Sequence, residues 1–174
     1  MNTAIVWFRD DLRVSDNPTL VDAIRAGDHV VPVYVFDPRI RRQTEYGTQK
    51  VGAHRARFRR ESVLDLRESI RARGGELFVR EGHPETVIPQ LVDATDSTTV
   101  YAQTKPATEE YARERAVRSA LPDGVDFQTR WTHTLYHLED LPTPVEAIED
   151  TFTPWRKRVE REASIREPIP APET

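Results

Sequence analysis

The sequence predicts an α/β fold: a doubly wound, five-stranded parallel sheet with helices on both faces. Two observations carry this. Short apolar runs alternate with amphipathic helical stretches, the pattern of βαβ units. The runs are continuously apolar rather than alternating, which suits strands covered on both sides. Right-handed crossovers with the first strand central then give the order 3-2-1-4-5, a Rossmann-like arrangement.

The first strand is Thr3–Phe8. After a polar loop, Asp16 or Asn17 can cap a helix with Pro18 in its first turn. Leu20, Val21, Ala23 and Ile24 form its buried stripe, and Gly27 ends it. A strand over His29–Phe36 stops at Asp37-Pro38. A long helix spans Gly52–Arg73, with Phe58, Leu66 and Ile70 among its core candidates and Gly74-Gly75 as its stop. Next come a strand at Glu76–Val79, a helix over Pro84–Ala94 and a strand at Thr99–Gln103. A helix at Ala107–Ala120 and a strand at Val125–Arg130 complete the domain, expected to occupy residues 1–141.

Residues 142–174 differ, holding six of the 13 prolines. They read as an extended, Pro-rich linker with too few apolar side chains to pack, interrupted by a short amphipathic piece at Thr153–Glu160. A linker that leads nowhere suggests the front part of a larger protein.

Composition narrows the function. The 174 residues contain no cysteine, which removes disulfides, thiolate metal sites and cysteine nucleophiles and suits a reducing cytosol. No apolar run approaches the roughly 18–20 residues of a membrane span, and residues 1–9 lack a signal-peptide layout, so a cytoplasmic protein is expected. The net charge of −4 hides two flanks. Residues 36–80 hold 12 Lys/Arg against 6 Asp/Glu (net +6), and residues 81–154 hold 5 against 14 (net −9). Only three of the 25 basic residues are lysine, read as genome or habitat bias.

Ligands of a doubly wound sheet bind beyond the strand tips, where neighbouring connections leave in opposite directions. That places a crevice between strands 1 and 4. Phe8, Arg9 and Asp10 face Ala102, Gln103, Thr104 and Lys105 across it, and Phe36 and Asp37 add a wall. The seven glycines form neither GxGxxG nor GxxxxGK[ST], and there is no GxSxG elbow. His133 and His137 lack the glutamate of HExxH and read as ordinary polar residues. The aspartate-rich stretch Asp10–Asn17 reads as a capped loop whose Arg13 neutralises neighbouring carboxylates rather than as a metal site. Arg55 and Arg59 share one helix face, with Arg57 and Arg60 elsewhere, so the arginines read as a solvated surface. Trp7 reads as core, Trp131 and Trp155 as edge packing.

Several long stretches resemble one family. WFRDDLRVSDNPTL at 7–20, VVPVYVFDPR at 30–39 and KVGAHRARFRRESVLDLRESIRARGGELFVREGHPE at 50–85 are similar to the amino-terminal domain of photolyases and cryptochromes. TLYHLEDLP at 134–142, FTPWRKRVE at 152–160 and IREPIP at 165–170 resemble the DASH-type branch. The resemblance implies an α/β domain joined to a helical domain that holds FAD and, under blue light, splits pyrimidine dimers in DNA. That domain is the implied partner, and the parent would be a deoxyribodipyrimidine photolyase or a light sensor. It also implies an antenna pigment, a methenyltetrahydrofolate or a deazaflavin. By position, Arg9, Asp10, Phe36, Asp37, Gln103 and Lys105 are its candidate cofactor-binding residues, with no catalytic residue in this chain. DASH-type members usually place a carboxylate against the folate after strand 4; here the stretch reads Gln103-Thr104-Lys105, which offers a cation in its place. A docking face left open would make the isolated chain prone to self-association. The alternative is a free-standing binding or regulatory module on the same fold.

Overall fold

The computed structural model describes residues 2–43, 45–148 and 150–173. Eight main elements wind the sheet in chain order: β1 (Thr3–Phe8), α1 (Pro18–Ala26), β2 (His29–Phe36), α2 (Ala53–Arg71), β3 (Phe78–Glu81), α3 (Pro84–Thr95), β4 (Ser97–Thr104) and α4 (Thr108–Ala120). The strand β5 (Asp126–Trp131) closes it, and a short helix α5 (Phe152–Glu162) follows. All pairings are parallel, in the order β3-β2-β1-β4-β5. The sequence-based order and fold class are therefore those observed.

Alternate residues of the central strands feed two cores. Ala4, Val6, Phe8, Tyr34 and Tyr101 meet Leu20 and Ala23 of α1 and Val63, Leu66 and Ile70 of α2 on one face. Ile5, Trp7, Val33, Val35, Val100 and Ala102 meet Ile88 and Val92 of α3 and Val117 of α4 on the other. Period-2 side-chain alternation thus explains why both faces must be apolar.

The loop before α1 is organised by one buried side chain. Asn17 Oδ1 accepts from Leu20 N–H at 3.0 Å, while its Nδ2 donates to the carbonyls of Asp11 (3.2 Å) and Arg13 (3.0 Å). Asn17 is the helix cap, and one amide closes both the cap and the loop.

Four expectations need correction. Phe58 is not core: it is 70% exposed, and the buried positions of α2 begin at Val63. The 19-residue helix is about 28 Å long, against about 13 Å for the four-residue β3, so its first turns overrun the sheet. Ile24 also faces solvent on the far side of α1, at 40% exposed. β3 begins at Phe78 rather than Glu76. The chain leaves α2 through Gly74 (φ +79°) with Gly75 N–H donating to Ile70 O, and Glu76 is held by Arg67 and Arg71 before Leu77 enters the core. Finally, part of the proline-rich stretch does pack. Asp16 N–H donates to Ile169 O at 2.7 Å, Arg73 Nε to Pro172 O at 3.3 Å, and Ala171 rests on the α1/α2 core. Backbone hydrogen bonds hold this segment where its side chains alone would not.

Ile88 is fully buried between α3 and the sheet. Ile88→Ala should cost about 2–5 kcal/mol in chemical denaturation, whereas Phe58→Ala should leave the midpoint nearly unchanged.

Candidate functional site

The crevice lies where topology places it, at the carboxyl tips of β1 and β4. Arg9 is its foundation. The residue follows β1 and is only 7% exposed. Its guanidinium donates to the Gln103 carbonyl at 2.9 Å and to Glu110 Oε2 at 2.8 Å, reaches Glu114 at 3.4 Å, and lies 5.0 Å from the centre of the Trp7 ring. A buried cation needs these partners, because an unpaired one would be prohibitively desolvated. The result ties the start of α4 to the ends of β1 and β4.

Above Arg9 the charges alternate. Lys105 pairs with Asp10 and, at 3.5 Å, with Glu110. Arg59 of α2 approaches Asp10 at 3.7 Å. Arg113 of α4 bonds Glu110 at 2.7 Å and reaches Asp37 at 3.4 Å, while Arg39 grips Asp37 and then Glu85 at 2.8 Å. Lys50 meets Glu109 at the rim. Burial opposes the charge of Asp10, but Lys105, Arg59 and Arg9 overcome it, so Asp10 titrates below its ordinary value. Glu110 is likewise lowered against burial by Lys105, Arg113 and Arg9, and Asp37 against burial by Arg39 and Arg113.

Asp11 behaves oppositely. It is 1% exposed; Oδ1 accepts the Arg9 backbone N–H at 2.9 Å, but Oδ2 has no hydrogen-bond partner. Burial raises its titration above the ordinary value despite that backbone bond and the nearby arginines.

Four of the six candidate residues meet in the crevice: Arg9, Asp10, Asp37 and Lys105. Phe36 and Gln103 are not part of its lining. Phe36 stacks edge-on against Tyr34 at 4.8 Å and rests on the α1/α2 core. The Gln103 side chain turns to Thr132, leaving only its carbonyl for Arg9. The sequence reading missed Glu110 and Arg113, although α4 must start at the tip of β4 and their spacing puts both on its first turns. It also assigned Arg59 to solvent, whereas its side chain is only 17% exposed. Arg13 pairs with Asp16 at 3.4 Å, and its charge also acts on Asp11. His137 accepts the Glu139 N–H at 3.3 Å, a cap for the turn that follows.

Free space in the crevice is about 80 Å³. A second cavity of about 390 Å³ adjoins it, between the loop after β1 and α2. A separate groove of about 770 Å³ runs between the start of α1, the residues following β5 and the 165–169 segment. Among the described residues, no helix is long and apolar enough to cross a membrane, and no group of three or more His, Asp or Glu converges as a metal site.

The sheet order, the crevice at β1/β4 and its charged lining define a doubly wound α/β domain with a charged crevice at its switch point. The chain belongs to the DNA photolyase family, whose profile matches residues 4–173. Over nearly its whole length it is similar to cryptochromes of the DASH type. A cryptochrome DASH of Natronomonas pharaonis is 59% identical over all of this chain, which spans 37% of that relative. A cryptochrome of Synechocystis sp. superposes with a TM-score of 0.95 at 38% identity, covering 99% of this chain and 36% of that one. A photolyase of Sulfolobus tokodaii, at 24% identity and a TM-score of 0.82, shares the fold. The chain thus spans little more than a third of the relatives it matches.

The lowered carboxylates give stability that is complete above their ordinary values (3.8 for Asp10 and Asp37, 4.5 for Glu110) and lost as pH falls through their folded values. Asp11 has the opposite sign, its contribution falling as pH rises through its raised value. Denaturation titrations from pH 3 to 8 should therefore show Asp11→Asn gaining stability relative to wild type as pH increases. Arg9→Ala, which strips Glu110 and Glu114 of a buried partner, should cost roughly 3–5 kcal/mol at pH 7.

Proposed function

We propose that this chain is the antenna side of a light-driven flavoprotein, and that the β1/β4 crevice seats the ring of a light-harvesting pigment. The observation that supports this best is the crevice lining itself. Lys50, Arg55, Arg59, Lys105 and Arg113 supply donors there, against three carboxylates, Asp10, Asp37 and Glu110, that are already paired.

That chemistry discriminates between pigments. A pterin presents amino and ring N–H donors and needs a free carboxylate, whereas Asp10 and Glu110 are committed to Lys105. A deazaflavin or flavin dione presents carbonyl acceptors, which fit lysine and arginine donors. We therefore favour a deazaflavin-type ring over a methenyltetrahydrofolate. A bound pigment would absorb light and pass the excitation on; this chain's residues would bind, orient and shield the ring.

The remainder of the protein, in this reading, is a helical domain carrying FAD, which uses blue light to repair cyclobutane pyrimidine dimers in DNA or to signal. Residues 142–174 would act as the connection to it, with DNA contacted mainly through that second domain. The family membership and the share of relatives covered support this arrangement.

Titrating the chain with a deazaflavin and with methenyltetrahydrofolate should give a shifted, protected absorption band with the deazaflavin alone. Lys105→Ala should weaken that band several-fold. A band with the folate only, or with neither pigment, would remove the antenna assignment from this chain.

A further inference from the structure

The proline-rich tail and the loop after β1 meet at one residue. Asp16 has a left-handed backbone, φ +47°, which a non-glycine residue keeps only where its surroundings hold it. The tail supplies part of that hold. Asp16 N–H donates to Ile169 O at 2.7 Å, and Ile169 N–H donates back to Asp16 Oδ1 at 3.3 Å. From the loop side, Arg13 donates to the Asp16 carbonyl through Nε at 3.1 Å and Nη2 at 2.8 Å.

Residues 165–173 are built to lie extended. Pro168, Pro170 and Pro172 alternate with Ile169 and Ala171. Each proline fixes its own φ and biases the residue before it toward extended backbone, so docking costs little conformational entropy. Ile169 and Ala171 are half-buried, whereas Pro168 and Pro170 are exposed. Ala171 rests on the α1/α2 core, and Arg73 Nε donates to Pro172 O at 3.3 Å. At the other end Arg166 bonds Asp140 at 2.9 Å and Glu139 at 3.2 Å, in the turn after β5. A segment held by a few polar anchors and little buried apolar surface opens far more readily than the sheet beneath it.

Arg13 links this segment to the site. Its side chain lines the groove beside the tail and also the cavity that adjoins the crevice, where Asp10 shares the lining. Among the described residues, its guanidinium hydrogen-bonds to Asp16 alone.

We propose that residues 165–173 are a latch on the loop Asp10–Asn17, and that Arg13 carries the state of the latch to the crevice side. With the latch engaged, Asp16 stays left-handed and presents its carbonyl to Arg13, which is thereby fixed between groove and cavity. With the latch released, the Asp16 turn relaxes, Arg13 loses its acceptor, and the chain between the anchors at Asp11 and Asn17 gains freedom. The coupling is reciprocal, so loosening the turn also loosens the latch.

Backbone hydrogen exchange on the full 174-residue chain tests both directions. Ala171→Glu places a charge against an apolar core and should release the latch. Exchange of residues 165–173 should then rise, and that of residues 12–16 should rise about tenfold or more, with β1 and β4 unchanged. In reverse, Asp16→Ala disfavours the left-handed turn and lacks the carboxylate, and it should raise exchange at Ile169. Asp16→Asn tolerates that backbone and keeps an acceptor oxygen, so it should stay near wild type. Should Ala171→Glu leave the segment protected, the Ile169→Pro/Ala171→Glu variant also removes the N–H given to Asp16. Protection of 165–173 in both variants would overturn the latch, because these anchors would not be what holds it. Wild-type exchange of 12–16 while 165–173 exchange freely would overturn it too, as would continued protection of Ile169 in Asp16→Ala.

Discussion

The site depends on one buried guanidinium. Arg9 leaves the end of β1 with nowhere to send its charge except toward the Gln103 carbonyl and the carboxylates of α4. A charge so placed destabilises the fold unless its partners arrive in good geometry. The constraint therefore runs outward from Arg9: β4 must end where its carbonyl can accept, and α4 must start with Glu110 and Glu114 turned inward. The crossovers on either side of β1 leave in opposite directions, and the gap between them is the crevice that these charges line.

The division of charge along the sequence finds its meaning in space. The basic segment contributes α2, with Arg55 and Arg59; the acidic segment contributes α4, with Glu109, Glu110 and Glu114. The two lie across the strand tips from one another, and Lys105 and Asp10 interleave between them. Most of these pairs are only partly shielded from water, so their worth lies in orientation more than in stability. Arg9 is the exception, because it is buried.

Much of this was legible in the sequence. Apolar runs such as Thr3–Phe8 and His29–Phe36 are long enough and continuous enough to specify buried parallel strands, and right-handed crossovers then leave few possible orders. The strand tips carried Arg9, Asp10, Asp37 and Lys105 to the crevice by the same reasoning. What failed was side-chain direction. Gln103 and Phe36 belong to the correct strand ends, yet both side chains turn to the α1/α2 side, where Thr132 and Tyr34 receive them. Periodicity in α2 predicted a stripe without showing where the sheet beneath it stops, so Phe58 was assigned to the core. Contributions from α4 depend on contacts about 100 residues apart in sequence, between Arg9 and Glu110, which no local pattern contains.

Asn17 unites the loop after β1 with the cap of α1, and it is followed by Pro18. Asparagine ageing proceeds when the next residue's backbone nitrogen attacks the side-chain amide and forms a cyclic imide. Proline has no N–H to give up in that step. The residue whose conversion to aspartate would cost the loop its two donated hydrogen bonds thus sits in a sequence context that blocks the usual route of chemical decay.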